Sequence, residues 1–211
     1  MKKILLTGFE PFGGDSLNPS EEVARQLNGA NIARHEIAGA LLPCVFGAAL
    51  KELKHQVRLH EPALVLCLGQ AGGRAEITPE RIAINIEDAR VPDNAGQQPV
   101  DKPVIKGGPA AYWSTLPIKA IVQALRKKDI PAAVSQTAGT FVCNHVFYGL
   151  MHELESWPDV RGGFMHLPYL PEQTATGPSL AFEQMTTGVR LALETAISYR
   201  RDVKTAGGRE S

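Results

Sequence analysis

The feature that most constrains this chain is Ala63-Leu64-Val65-Leu66-Cys67-Leu68, an unbroken apolar run that stops at Gly69-Gln70-Ala71-Gly72-Gly73-Arg74. It has strand length, and it offers no polar face to water. A strand of this kind is buried on both sides, as in a parallel sheet covered by helices. Residues 3–8 form a second short strand ending at a glycine. Asn18-Pro19-Ser20-Glu21 is a helix start: Asn18 caps, Pro19 takes the first helical position, and Glu21 is placed to reach back in a capping box. Asn28-Gly29 closes that helix.

The alternation continues along the chain. Residues 32–42 read as extended up to Pro43, and Phe46, Leu50, Leu53 and Val57 fall at helical spacing. Ile82, Ile84 and Ile86 alternate with Arg81, Ala83, Asn85 and Glu87, the pattern of a half-buried strand. Residues 90–113 carry loop signals, and a loop of that length is functional or mobile, or hides a short hairpin. Pro117 opens a helix, residues 132–137 form a strand, and Val142, Val146, Leu150 and Leu154 restart the helical period. Residues 163–167 form a further strand, and residues 179–199 the last helix. Residues 200–211 read as a polar, frayed tail. This order predicts one α/β domain over residues 1–211, with a largely parallel sheet between helical layers. Sites in such sheets form after the carboxyl ends of strands.

At 44% hydrophobic and 21% charged, the 211 residues can bury a full core without disulfides or metal. Lys+Arg and Asp+Glu are equal at 22 each, so no overall positive field favours nucleic acid or acidic lipid. The apolar start of the chain stops at Thr7-Gly8, short of a secretory core, and no run spans a bilayer. The expectation is a cytoplasmic protein without membrane contact. Its three cysteines, Cys44, Cys67 and Cys143, are then free thiols without metal spacing.

Cys143 stands in Gly139-Thr140-Phe141-Val142-Cys143-Asn144-His145, between a strand and a helix. A thiol in the first turn of a helix meets unpaired N–H groups and the positive end of the dipole, which favour thiolate. The same N–H groups suit an oxyanion. The competing reading is a small buried hydrophobe, which fits Cys67 better. Among six histidines, His166 sits at the carboxyl end of its strand, level with Cys143. His145 is two residues from Cys143, and such neighbours do not face each other on a helix. Glu80, Glu76, Glu87 and Asp88 are all candidates to orient an imidazole, and spacing does not choose among them. The Gly-rich turn at residues 69–74 fits neither phosphate-loop pattern. Phe9, Phe12 and Phe141 would wall a flat apolar pocket if they converge.

Four segments resemble the pyroglutamyl peptidase I family of cysteine peptidases. They are Leu6-Thr7-Gly8-Phe9-Glu10-Pro11-Phe12-Gly13-Gly14 with Asn18-Pro19-Ser20; the Gly69–Arg74 turn with Ile77-Thr78-Pro79-Glu80-Arg81-Ile82; Gly139 to Asn144; and Gly163-Phe164-Met165-His166-Leu167-Pro168 with Pro171 and Gln173. The resemblance implies Cys143 as nucleophile, His166 as general base and acid, and Glu80 as its orienting carboxylate. It implies that Phe9, Phe12, Asn18, Gln70 and Phe141 hold a pyroglutamyl ring and that Arg90 lies near. It further implies a three-layer α/β/α sandwich with a mixed, largely parallel sheet, like that of nucleoside phosphorylases and other hydrolases. The implied enzyme cleaves pyroglutamyl peptides through a thioester, in the cytoplasm, with no metal or cofactor, as a homo-oligomer, often a tetramer. A non-catalytic ligand binder on the same fold and a phosphorylase-like transferase are the alternatives. The second is disfavoured by the lack of a phosphate loop.

Overall fold

The computed structural model describes residues 1–208. In chain order the elements are β1 (Lys2–Phe9), α1 (Pro19–Leu27), β2 (Asn31–Ile32), β3 (His35–Leu42), α2 (Ala48–His60), β4 (Leu64–Gln70), β5 (Thr78–Pro79), β6 (Ile82–Ile84), β7 (Ala111–Trp113), α3 (Ile118–Arg126), α4 (Val142–Leu154), β8 (Arg161–Leu167) and α5 (Phe182–Ser198). The main sheet runs β2-β3-β1-β4-β8-β5. β3, β1, β4 and β8 are parallel, while β2 and β5 pair antiparallel at the two edges.

Alternate residues of the central strands feed two separate cores. Ile4, Leu6, Leu64, Leu66, Leu68, Met165 and Leu167 pack with Val23 and Leu27 of α1, Ile121 and Leu125 of α3, and Met185 and Val189 of α5. Leu5, Val65, Cys67 and Phe164 pack with Leu53 and Val57 of α2 and Val146 and Leu150 of α4. The result is a three-layer sandwich. The apolar run at residues 63–68 is buried on both faces because each face meets a helical layer.

Several local expectations change. Residues 32–42 are broken by a turn at Ala33 and Arg34, both at positive φ, which makes the β2–β3 hairpin. Asn18 caps α1 as expected, its side chain accepting from Ser20 N, but Glu21 turns along the helix to Arg25 instead of reaching back. Residues 82–86 do not join the main sheet: β6 pairs antiparallel with β7 at the end of the 90–113 loop, so that loop supplies one strand of a wide hairpin instead of a short hairpin of its own. There Ala83 is buried and the flanking isoleucines are half-buried, the reverse of the expected face, because Ala83 packs with the α4 layer. Residues 132–135 run parallel to β5 through isolated bridges and backbone bonds such as Ser135 N to Pro79 O, 3.0 Å.

The tail is also corrected. Through Gly207 it is tied to the domain: Asp202 accepts from Lys119 N and Ala120 N at the start of α3, and Gly207 O accepts from Arg81. Pro117 cannot cap α3 with a side chain, so its first N–H groups are free for that carboxylate. Residues 209–211 of the expected tail lie outside the described residues.

Candidate active site

The carboxyl ends of β1, β4 and β8 surround a cavity of about 480 Å³. Cys143 and His166 line it together with Phe9, Phe12, Phe141, Asn18, Gln70 and Arg90. Of the sequence-predicted residues only Glu80 stands behind the wall, fully buried, as an orienting group should.

Cys143 is the second residue of α4, at the end of a segment built to present it. Gly139 takes φ +78°, and Thr140 exchanges bonds with the backbone of Asp88. Asn144, fully buried, accepts from Ile84 N and donates to Ile84 O and Ile86 O, strapping the helix start to β6. Burial pushes the Cys143 thiol up, with Cys44 and Glu80 adding to it and Arg74 opposing. Desolvation is the largest cause, and it acts against the thiolate that a helix start favours. A thiol in this state needs a base to take its proton as it attacks.

His166 ends β8. Its Nδ1 lies 2.7 Å from Glu80 Oε1, leaving Nε2 as the ring's remaining nitrogen. Glu80 is carried there because its backbone N–H donates to Phe164 O, just after the β5–β8 pairing of Thr78 with His166. Of the other carboxylate candidates, Glu87 pairs with His145 at 2.7 Å, and Glu76 reaches Arg126 at 4.0 Å. Asp88 bonds Thr140 through its backbone.

The aromatic wall is larger than the sequence suggested. Phe12 and Phe141 stack at 5.7 Å between centroids, and Phe46 meets Phe141 edge-on at 5.4 Å. Phe9 packs on Phe164 from within the core. Asn18 and Gln70 brace the wall with much of their amide capacity. Asn18 Oδ1 accepts from Ser20 N and Oγ, and its Nδ2 donates to Glu10 O. Gln70 donates to Asp15 and accepts from Gln173.

Sequence reasoning missed Arg74, treated only as the end of a turn, and the pair His145–Glu87. His145 does not face Cys143. It is buried, with Nε2 accepting from Gly47 N at 3.0 Å, so Nδ1 carries the proton given to Glu87. That pairing anchors the start of α2 beside Phe46. The signal was a histidine and an acid on neighbouring post-strand segments, which spacing could not join. Cys44 and Cys67 are buried and pushed up to about 12, in both cases chiefly by burial.

Comparison with known proteins gives a consistent result. The family profile described as pyroglutamyl peptidase matches residues 2–199. The pyrrolidone-carboxylate peptidase of Cupriavidus necator is 56% identical over 99% of each chain. The crystal structure of Bacillus amyloliquefaciens pyroglutamyl peptidase I superposes with a TM-score of 0.94 at 51% identity, covering 96% of this chain and 100% of that one. The pyrrolidone carboxyl peptidase of Thermococcus litoralis gives a TM-score of 0.94 at 40% identity, over 98% of this chain and 100% of that one.

Proposed function

The chain belongs to the pyroglutamyl peptidase family and is a cysteine peptidase that removes N-terminal pyroglutamate; we propose that Cys143, His166 and Glu80 carry the reaction. The observation that carries this assignment is the buried Glu80–His166 hydrogen bond behind the cavity that Cys143 enters from the start of α4.

Glu80 accepts from Nδ1–H and so leaves His166 Nε2 unprotonated, the form of a general base. His166 takes the Cys143 proton as sulfur attacks the carbonyl carbon after the lactam ring. The carbonyl electrons move to oxygen, where the first N–H groups of α4, without intrahelical acceptors, stabilise the charge. Collapse breaks the C–N bond, and His166 gives its proton to the departing amine. Water then attacks the thioester, passing a proton to His166. The C–S bond breaks, and the proton returns to sulfur.

The ring itself fits apolar walls. Phe9, Phe12 and Phe141 supply the faces, with Phe46 backing Phe141, Asn18 and Gln70 hold the rim, and Arg90 lies at the mouth. The chemistry uses no metal or cofactor. The chain is read as one peptidase domain acting in the cytoplasm on pyroglutamyl peptides. No helix among the described residues is long and apolar enough to cross a membrane. The chain is read as a homo-oligomer, a tetramer by the resemblance.

Release of chromophore from a pyroglutamyl anilide by the reduced protein, abolished in Cys143→Ser and His166→Ala, tests the assignment. Turnover that persists in either variant would move the catalytic role elsewhere.

A further inference from the structure

The geometry points to Arg74 as a positioning residue: its guanidinium pairs with Glu80 and keeps it aimed at His166 while it ties together the segments that carry the catalytic groups. This rests on the roles given above to Cys143, His166 and Glu80.

Glu80 has lost all contact with water, and its bonds are lopsided. Oε1 accepts from both His166 Nδ1 at 2.7 Å and Arg74 Nη1 at 2.8 Å. Oε2 is buried with no hydrogen-bond partner among the described residues. A carboxylate so desolvated is costly to bury unless a positive charge pairs with it. Arg74 is the guanidinium that does so. Without it the buried carboxylate would be held by His166 alone and free to rotate, which would release His166 from its orientation.

The same side chain reaches further. Nη1 donates to Thr78 Oγ1 at 2.6 Å, on the strand that leads to Glu80. Nη2 donates to Thr137 O at 3.4 Å, just before the segment that presents Cys143. Arg74 itself leaves the turn after β4, made possible by Gly73 at φ +84°. Three segments of the site meet on one planar group, a geometry that lysine cannot copy.

The charge on Arg74 also reaches the reacting pair. The titratable groups around Cys143 are Cys44 after β3, Cys67 on β4, Glu80 after β5, His166 on β8, and Arg74 and Arg90 on the wall, with Glu10 and Asp93 behind Cys44. Arg74 opposes the burial, Cys44 and Glu80 contributions that disfavour thiolate. Removing that cation makes the Cys143 proton harder to remove, so the limb of the pH profile set by Cys143 moves to higher pH.

The test is steady-state kinetics of Arg74→Gln and Arg74→Lys on a pyroglutamyl anilide across pH. The Gln variant should lose about 10- to 100-fold in kcat with KM within about 3-fold, and the limb set by Cys143 should move up by about 0.5–1 pH unit. The Lys variant should recover part of kcat and return that limb to its wild-type position, since it restores charge but not the three-way grip. A kcat loss in Arg74→Gln with an unmoved profile would reduce Arg74 to a structural role, and a change confined to KM would make it a substrate contact; either overturns the inference. If Arg74→Gln does not fold, Arg74→Lys decides alone: lowered kcat at unchanged KM supports the role, and wild-type kcat overturns it. Cys143→Ser and His166→Ala, run alongside, separate the two failures. Turnover persisting there would sink the site assignment itself, whereas its loss there with wild-type behaviour at Arg74 would sink only this proposal.

Discussion

The sulfur of Cys143 occupies the space that a side chain on Gly69 would need: a β-carbon there would stand 2.9 Å from Sγ and 2.8 Å from the ring edge of Phe164. The buried strand β4 thus ends in a bare backbone directly beneath the proposed nucleophile. The glycine is needed for close approach and not for its φ.

Gly69→Ala should therefore damage chemistry more than folding. The added methyl must displace Sγ or Phe164, an overpacking cost of about 1–3 kcal/mol. A displaced sulfur misses the near-attack geometry, so kcat should fall at least about 10-fold while KM changes little. Wild-type kcat in a variant shown by its crystal structure to be undistorted would refute this.

Limited iodoacetamide should modify Cys143 before Cys44 and Cys67 and abolish activity. Burial raises all three thiols, so the difference lies in access and in the base. Cys143 is half-buried on the cavity wall, Cys44 lines the same cavity but is buried, and Cys67 is buried within β4. Peptide mapping after partial labelling reads the order, and inactivation accompanied by label on Cys44 first would move the nucleophile.

Glu80→Gln should cost less in kcat than His166→Ala, because a carboxylate tunes the imidazole that moves the protons. The amide also leaves Arg74 facing a neutral partner, so Glu80→Gln should lose some stability too, of order 1–3 kcal/mol. Denaturant titration beside kinetics separates the effects. Equal and complete loss of turnover in a folded Glu80→Gln variant would give Glu80 a more direct part.

The second buried His–Glu pair supplies a control. His145→Ala strands Glu87 and the Gly47 N–H, at a cost of about 2–3 kcal/mol. For a chain of this size that lowers Tm by about 4–12 °C. Turnover and Cys143 alkylation should persist. Thermal melts with His145→Ala and His166→Ala side by side distinguish a structural pair from a catalytic one, and an inactive but fully stable His145→Ala would exchange their roles.

The sandwich was legible because the run at residues 63–68 in β4 is apolar without interruption, and only a sheet covered on both faces accommodates it. The cap at Asn18 and the end at Asn28-Gly29 were legible because capping is local chemistry. The 82–86 segment misled because alternating isoleucines carry the strand signal, whereas the face that is buried was decided by the small Ala83 meeting the α4 layer. In the site, residue types and order made Cys143 and His166 candidates that only the family resemblance selected, and four acids competed for the third place. What separates Glu80 from Glu87 is the pairing of β5 with β8, which brings one acid to His166 and leaves the other for His145. Arg74 stayed hidden for the same reason: its partners, Thr78, Glu80 and Thr137, meet only after folding.

The pocket should select the uncharged lactam. Its described wall holds Arg74, Arg90 and His166 but no carboxylate, and its faces are Phe9, Phe12 and Phe141. A free N-terminal ammonium entering it would lose hydration at a cost of several kcal/mol and meet like charges instead of a partner. An aromatic face returns only about 0.5–2 kcal/mol to a cation. Proline has nearly the right ring, but it carries that charge and lacks the lactam carbonyl, so the groups that pair with the lactam edge would stay unsatisfied. Prolyl anilides should therefore be cleaved at least about 100-fold less efficiently than pyroglutamyl anilides in kcat/KM. Phe12→Ala should raise KM for the pyroglutamyl substrate by removing the ring that stacks on Phe141, while Cys143 stays reactive toward a small alkylating agent. Comparable kcat/KM for the two anilides would show that ring shape, and not the missing charge and the lactam edge, governs selection.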